Sequence, residues 1–157
     1  MEIVIFVVAF VAGALLSGGY IFRRMARLVD KEARKAHNNL ELAYAMSQWV
    51  AVKQEGKSLS TALKKRGIQT IAIYGMADIG EHFYQEVKDS GIKVAYGIDQ
   101  KAKDMFAPIP LYTPNEELSA VDAIVVTPLN YYDEIEDTLT ARVNYPILSI
   151  QDLMFEA

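Results

Sequence analysis

The 157-residue chain contains no cysteine. This absence excludes disulfides, thiol nucleophiles and thiolate metal ligands together. The only histidines, His37 and His82, have no ligand-type companions at helical spacing, and we therefore predict no metal site. Basic residues do not outnumber acidic ones either. The formal net charge is -4, which argues against nucleic acid as the partner.

Charge is absent from residues 3–22, which read IVIFVVAFVAGALLSGGYIF. This run has about the 20 residues that a helix needs to cross a bilayer, and it is too long for the apolar core of a signal peptide. Basic residues follow the run and none precedes it. The positive-inside rule then predicts a single-pass protein of the plasma membrane or inner membrane, with residues 1–22 as a transmembrane anchor in contact with the bilayer and a cytoplasmic C-terminal domain.

Residues 23–66 are predicted to form a helical connector, since residues 23–52 contain no proline or glycine. A heptad frame places small and aliphatic side chains along one face, which we call the seam: Ala26, Val29, Ala33, Ala36, Leu40, Ala43, Ser47 and Val50. Together with Ala9, Gly13 and Ser17, spaced by four in the predicted span, the seam predicts a parallel homodimer. Packing of the seam on the chain's own domain stays open as an alternative. Trp49 is expected to dock against that domain.

Beyond residue 67 short β-type runs alternate with helical segments. The predicted strands are 70–74, 93–98, 109–112, 123–126 and 146–150. This alternation predicts the α/β class: residues 67–157 should form a Rossmann-like, doubly wound parallel sheet of about five strands in the order 3-2-1-4-5. Thr113 to Glu116 is typical of a capping box, and it predicts a short helix through Leu118.

The ligand crevice of such a sheet lies at the carboxyl ends of the strands. The turn after the first predicted strand, which we call the glycine turn, reads Gly75, Met76, Ala77, Asp78, Ile79, Gly80. It matches the first and third glycines of the dinucleotide fingerprint, with Ala77 in place of the second and a carboxylate in the first helical turn.

Two polar residues at other strand ends complete the predicted site. Asp99 follows the second strand, about 20 residues past the glycine turn, where a carboxylate can hold a ribose hydroxyl. Thr127 follows the fourth strand, where it could hydrogen-bond a ligand. NAD(P) or a nucleotide sugar would suit this site. Purely structural roles for the two glycines, Asp99 and Thr127 stay open.

Several stretches resemble a known group of domains. They are Gln48-Trp49, then Lys53-Gln-Glu-Gly-Lys57-Ser-Leu, Leu63-Lys-Lys-Arg-Gly67, the glycine turn and Tyr96-Gly-Ile-Asp99. Over about residues 45–157 the chain resembles small Rossmann-like domains of bacterial polysaccharide and capsule biosynthesis, often described as nucleoside-diphosphate-sugar epimerase-like. It is more distantly similar to the nucleotide-sugar-binding N-terminal domains of sugar acyltransferases. The resemblance implies a bacterial protein accessory to surface-polysaccharide assembly, with a glycan-biosynthesis enzyme as partner.

Catalysis by this chain alone is not predicted. An epimerase or reductase of that type uses a Tyr-x-x-x-Lys pair, whereas Tyr131 and Tyr132 are followed at this spacing by Ile135 and Glu136. The predicted elements also leave no segment for a substrate lobe. Two hypotheses remain: a membrane-anchored cytoplasmic module that binds a nucleotide or nucleotide sugar, and a ligand-free docking platform for a membrane glycan-assembly enzyme.

Overall fold

The computed structural model describes residues 1–157, except for the side chains of residues 2–17. The chain divides into two compact units, Met1–Leu40 and Glu41–Ala157. Helix α1 comprises residues Glu2–Gln54. In the first unit the side chains of residues 18–36 are all exposed. The second unit contains the end of α1 and all the strands, so that the last part of the predicted connector belongs to it.

The transmembrane anchor predicted for residues 1–22 is corrected by the structure. Within the described residues, no helix combines the length and the apolar character needed to cross a membrane. The described side chains of α1 after Met1 begin at Gly18, and Arg23, Arg24 and Arg27 follow within ten residues, so no apolar stretch of the required length is found among them. Most of the predicted span, including Ala9, Gly13 and Ser17, lies outside the described side chains. A single-pass topology, a plasma- or inner-membrane location and a cytoplasmic domain tethered by the anchor are therefore not supported.

The second unit is built on one parallel five-stranded sheet in the order β3-β2-β1-β4-β5, which is the order predicted from the sequence. The strands are β1 Thr70–Tyr74, β2 Lys93–Ile98, β3 Leu111–Tyr112, β4 Ala123–Val126 and β5 Ile147–Ser149. All four pairings are parallel. The architecture belongs to the α/β class and is compatible with a Rossmann-like fold.

Helices cover both faces of the sheet. They are α2 Leu59–Lys65, α3 Asp78–Val87, α4 Tyr132–Thr140 and α5 Ile150–Glu156, with 3-10 turns at Ala102–Asp104 and Leu129–Tyr131. Alternate residues of β1 point to opposite faces, as strand geometry requires. Ile71 and Ile73 pack with the end of α1 and with α2, α3 and α5, whereas Ala72 and Tyr74 pack with α4. Strand β4 is buried on both faces, as expected of an inner parallel strand.

Trp49 docks on this unit, as the sequence predicted. Its side chain is 5% exposed, and its ring meets that of Phe83 edge-on at a centroid distance of 6.4 Å. The part of the seam that lies in this unit, Ala43, Ser47 and Val50, is exposed. Packing of these three residues on the chain's own sheet is therefore not observed, and the homodimer stays a prediction.

Two segments differ from the sequence prediction. The capping box forms in part, because Glu116 Oε1 accepts hydrogen bonds from the backbone N and Oγ1 of Thr113 at 3.0 and 2.7 Å. Residues 114 and 115 form a turn, and no helix follows it. The first turn of a helix fixes several backbone angles for one hydrogen bond, so that a single turn is unfavourable by itself. Conversely, α5 was not predicted. Its N-cap is Ser149, and its residues Ile150 and Leu153 are fully buried.

Candidate functional site

Three turns meet at the carboxyl edge of the sheet because the ends of β1, β2 and β4 are in register. Tyr74 pairs with Ile98 on one side and with Val126 on the other. Hydrogen bonds extend this register into the turns: Gly75 N donates to Ile98 O at 2.8 Å, and Thr127 N donates to Tyr74 O at 3.0 Å. The sequence-predicted turns therefore lie side by side.

The two glycines of the glycine turn have structural reasons to be glycine. Gly75 has a φ of +87°, and a Cβ there would lie 2.7 Å from Pro128 Cδ. A Cβ on Gly80 would lie 1.9 Å from the carbonyl oxygen of Gly75, which no adjustment of a side chain could relieve. Gly75 thus permits the turn, and Gly80 permits the close approach of α3 to the end of β1.

Thr127 belongs to the framework of the turn. The residue is 3% exposed, and its Oγ1 lies within hydrogen-bond distance of Gly75 O at 2.6 Å and of Tyr74 O at 3.1 Å. Its hydroxyl donates to these backbone carbonyls. We therefore assign Thr127 to the link between β4 and the glycine turn, and the structure does not place it on a ligand-accessible surface.

The Asp99 carboxylate accepts hydrogen bonds from the backbone and also borders space that is accessible to solvent. Its Oδ2 accepts a hydrogen bond from Met76 N at 3.0 Å, and its Oδ1 accepts one from Lys101 N at 2.9 Å. Burial and then the negative charge of Asp99 raise the pKa of the neighbouring Tyr74 hydroxyl, an effect opposed by a hydrogen bond with Gln100. Because a carboxylate has about four acceptor positions, Asp99 retains capacity for a ligand hydroxyl.

The remaining residues of the glycine turn divide between the core and the surface. Met76 is 5% exposed and packs over β2, where a Cβ on Gly97 would lie 2.7 Å from Met76 Cγ. Ile79 is half-buried against the core. Ala77 and Asp78 are exposed. Ala77 is the N-cap of α3, and it provides no side-chain capping bond.

A cleft of about 660 Å³, which we call the glycine-turn cleft, opens at this edge. Its lining includes residues from all three turns: Gly75, Ala77, Asp99, Lys101, Met105, Pro128, Tyr131. Three predicted site residues, Gly75, Ala77 and Asp99, are thus brought together. The other five, Met76, Asp78, Ile79, Gly80 and Thr127, are not among the described residues that line it.

The sequence reasoning missed Lys101, Met105 and Tyr131. Tyr131 is 52% exposed, and all three follow strand ends by a few residues. Position after a strand was the only signal that could have found them. A polar cleft of about 560 Å³ adjoins the first and shares Tyr74, Gln100, Glu134 and Ile135 with it.

A second polar cluster, which we call the Glu86 cluster, lies at the end of α3. The Glu86 side chain is 5% exposed and forms an ion pair with Lys53 Nζ at 3.2 Å. It also accepts hydrogen bonds from Trp49 Nε1 at 2.5 Å and from Ser58 Oγ and Leu59 N at 2.8 Å each. Four residues of the stretch that carried the family resemblance therefore converge on one carboxylate, which gives that stretch a structural role.

Comparison with protein-family models, with curated proteins and with solved structures found no match to the chain. The resemblance to epimerase-like domains of polysaccharide biosynthesis accordingly stays a prediction.

Proposed function

We propose that the unit Glu41–Ala157 is a binding module for a nucleotide-type ligand, which it holds in the glycine-turn cleft. The observation that carries the proposal is the convergence of three strand-end turns on one cleft of about 660 Å³. That volume lies within the range of about 300–1,000 Å³ that is typical of small-molecule sites. Binding at the carboxyl edge of a parallel sheet is also the general rule for this architecture.

The chemistry of the lining suits the parts of a nucleotide. A phosphate is favoured near the N-terminus of α3, where Ala77 borders the cleft without capping the helix. Lys101 adds a positive charge, which offsets one of the two carboxylates of the lining, Asp99 and Glu134. A ribose hydroxyl can donate to Asp99. The Tyr131 ring and Met105 offer apolar surface against which a base can pack.

Asp78 lies in the first turn of α3, where its negative charge would repel a phosphate. Its side chain is exposed, and the described lining of the cleft includes Ala77 but not Asp78. Water and salt therefore weaken the repulsion between this carboxylate and a phosphate in the cleft. The Ala77 methyl group narrows the approach to the helix N-terminus, and Ala77→Gly is expected to strengthen binding of a phosphate-bearing ligand.

A docking platform is the second candidate, and one observation favours it. The Thr127 hydroxyl and two acceptor positions of Asp99 are already occupied by backbone groups of this fold. The turn is thus held in place without a ligand. On this hypothesis the partner is a glycan-assembly enzyme, a prediction that depends on the family resemblance alone.

Thermal unfolding of the full chain in the presence of NAD, NADP, UDP-glucose and coenzyme A tests the proposal. A ligand present at 100 times its dissociation constant should add about 2.7 kcal/mol to the free energy of unfolding. Tyr131→Ala should weaken the response, whereas Gln85→Ala, an exposed change on α3, should leave it intact. If no compound stabilises the protein, and none does so after Ala77→Gly, the binding proposal is wrong and the platform is favoured.

A further inference from the structure

The polar cleft differs in chemistry from the glycine-turn cleft that it adjoins. Its lining joins the loop after β3 to one face of α4 and to the ends of β1 and β2: Thr113, Pro114, Asn115, Glu134, Ile135, Thr138, Tyr74, Gln100. Hydroxyl and amide groups dominate. Among the described residues that line it there is one carboxylate, Glu134, and no basic side chain.

This composition disfavours an anion and suits a neutral group with many hydroxyls. A phosphate would meet Glu134 with no cation to compensate it. A hydroxyl group can donate to Glu134 and accept from the side-chain amides of Gln100 and Asn115. Ile135 provides an apolar surface for the C–H groups of a sugar ring.

The loop wall of this cleft is held in place before any ligand binds. Glu116 binds the backbone and hydroxyl of Thr113, and Arg142 donates to the carbonyl oxygens of Pro114 and Glu116, the latter at 2.8 Å. Arg142 follows the end of α4, so these hydrogen bonds join the loop to the helix that forms the opposite wall. A wall of this kind loses little conformational entropy on binding.

We infer that the ligand of the glycine-turn cleft carries a neutral polyhydroxylated group, which occupies the polar cleft. The inference rests on the proposed nucleotide site, because the clefts are contiguous through Tyr74, Gln100, Glu134 and Ile135. Two sources supply this chemistry: the hexose of a nucleotide sugar and the second ribose of a dinucleotide.

Calorimetric titration of the full chain with two matched pairs of compounds tests the inference. The pairs are UDP-glucose against UDP, and NAD against ADP. We expect the larger member of one pair to bind about tenfold more tightly than the smaller, as one or two added hydrogen bonds would allow. The pair that shows the difference identifies the source of the hydroxyl groups.

Asn115→Ala should bring the affinity ratio of that pair close to one. Glu117→Ala, an exposed change two residues further along the loop, should leave the ratio as it is. Equal affinities within both pairs, or a ratio that Asn115→Ala does not alter, would overturn the inference while the nucleotide site stands. If none of the four compounds binds, and NADP and coenzyme A do not stabilise the protein either, the proposed function fails together with it.

Discussion

The carboxylates of Glu86 and Asp99, both in the second unit, differ in the groups that bind them. The Glu86 side chain is 5% exposed, and it joins the ends of three helices, because Trp49 and Lys53 of α1 and the start of α2 all contact it on α3. Asp99 binds two backbone amides within its own edge of the sheet and borders open space. Four groups of the fold bind the Glu86 carboxylate, whereas two bind that of Asp99, which leaves Asp99 with acceptor positions for the proposed ligand.

The contrast separates a structural site from a candidate binding site. An enclosed carboxylate is tolerable only when its acceptor positions are filled, as those of Glu86 are. A partly exposed one can exchange water for a ligand hydroxyl at little cost.

The largest effect on stability is expected from Glu86→Ala. This change leaves Trp49 Nε1 and Leu59 N without their acceptor in a buried place and Lys53 without its ion pair. The free energy of unfolding should fall by about 3 kcal/mol, mainly because each of the two buried donors left without an acceptor costs about 1–3 kcal/mol. The lost ion pair adds little, since the Lys53 side chain is 49% exposed. Urea unfolding measures it, with Gln85→Ala as the exposed control on the same helix. A loss no larger than that of the control would mean that the Glu86 cluster does not hold the helices together.

Asp99→Ala should cost about half as much, roughly 1.5 kcal/mol, because water can replace the carboxylate at Met76 N and Lys101 N. Asp89→Ala, at an exposed turn, serves as the control. Ligand binding should fall far more than stability. If Asp99→Ala destabilises the protein as much as Glu86→Ala does, the two carboxylates are equivalent and the distinction between them is wrong.

Local sequence patterns were sufficient to predict the strand order of the sheet and the position of the glycine turn at its carboxyl edge. The alternation of β-type runs with helical segments predicted the strand order. The spacing of Gly75 and Gly80 marked the turn in which the structure requires both glycines, while their role in ligand binding stays a prediction. The Glu86 cluster was beyond such reasoning, because Trp49 and Glu86 are 37 residues apart in the chain and only packing brings them together. For the same reason Tyr131 was missed as a wall of the cleft.

Thr127→Val should have a smaller effect, about 1 kcal/mol, because the β-branched shape is kept and only the hydroxyl is lost. Gly75 O would then lose the donor at 2.6 Å, whereas Tyr74 O would still accept from Thr127 N. Thermal unfolding gives the size of the loss, and titration of the same variant checks the site. A loss of ligand affinity much greater than the loss of stability would place the hydroxyl in the binding site, contrary to the geometry.

The smallest effect is expected at the opposite, amino edge of the sheet, where Asp122 accepts hydrogen bonds from Gln69 N at 2.9 Å and Thr70 N at 2.7 Å. These bonds hold the pKa of this carboxyl below its ordinary value of 3.8. Because the pKa is lower in the folded state, the stabilisation is present above the unfolded pKa and is lost as pH falls through the folded one.

Asp122→Asn should therefore reduce the difference in stability between about pH 6 and about pH 3, as measured by urea unfolding at both values. Part of the acid sensitivity will remain, since hydrogen bonds from Arg66 and Thr113 lower the pKa of Glu156 and Glu116 in the same way. An unchanged difference would show that the Asp122 carboxylate binds the two amides no better when it is charged. The acid sensitivity would then be assigned to Glu156 and Glu116, and Glu156→Gln measured at the same two pH values would test that assignment.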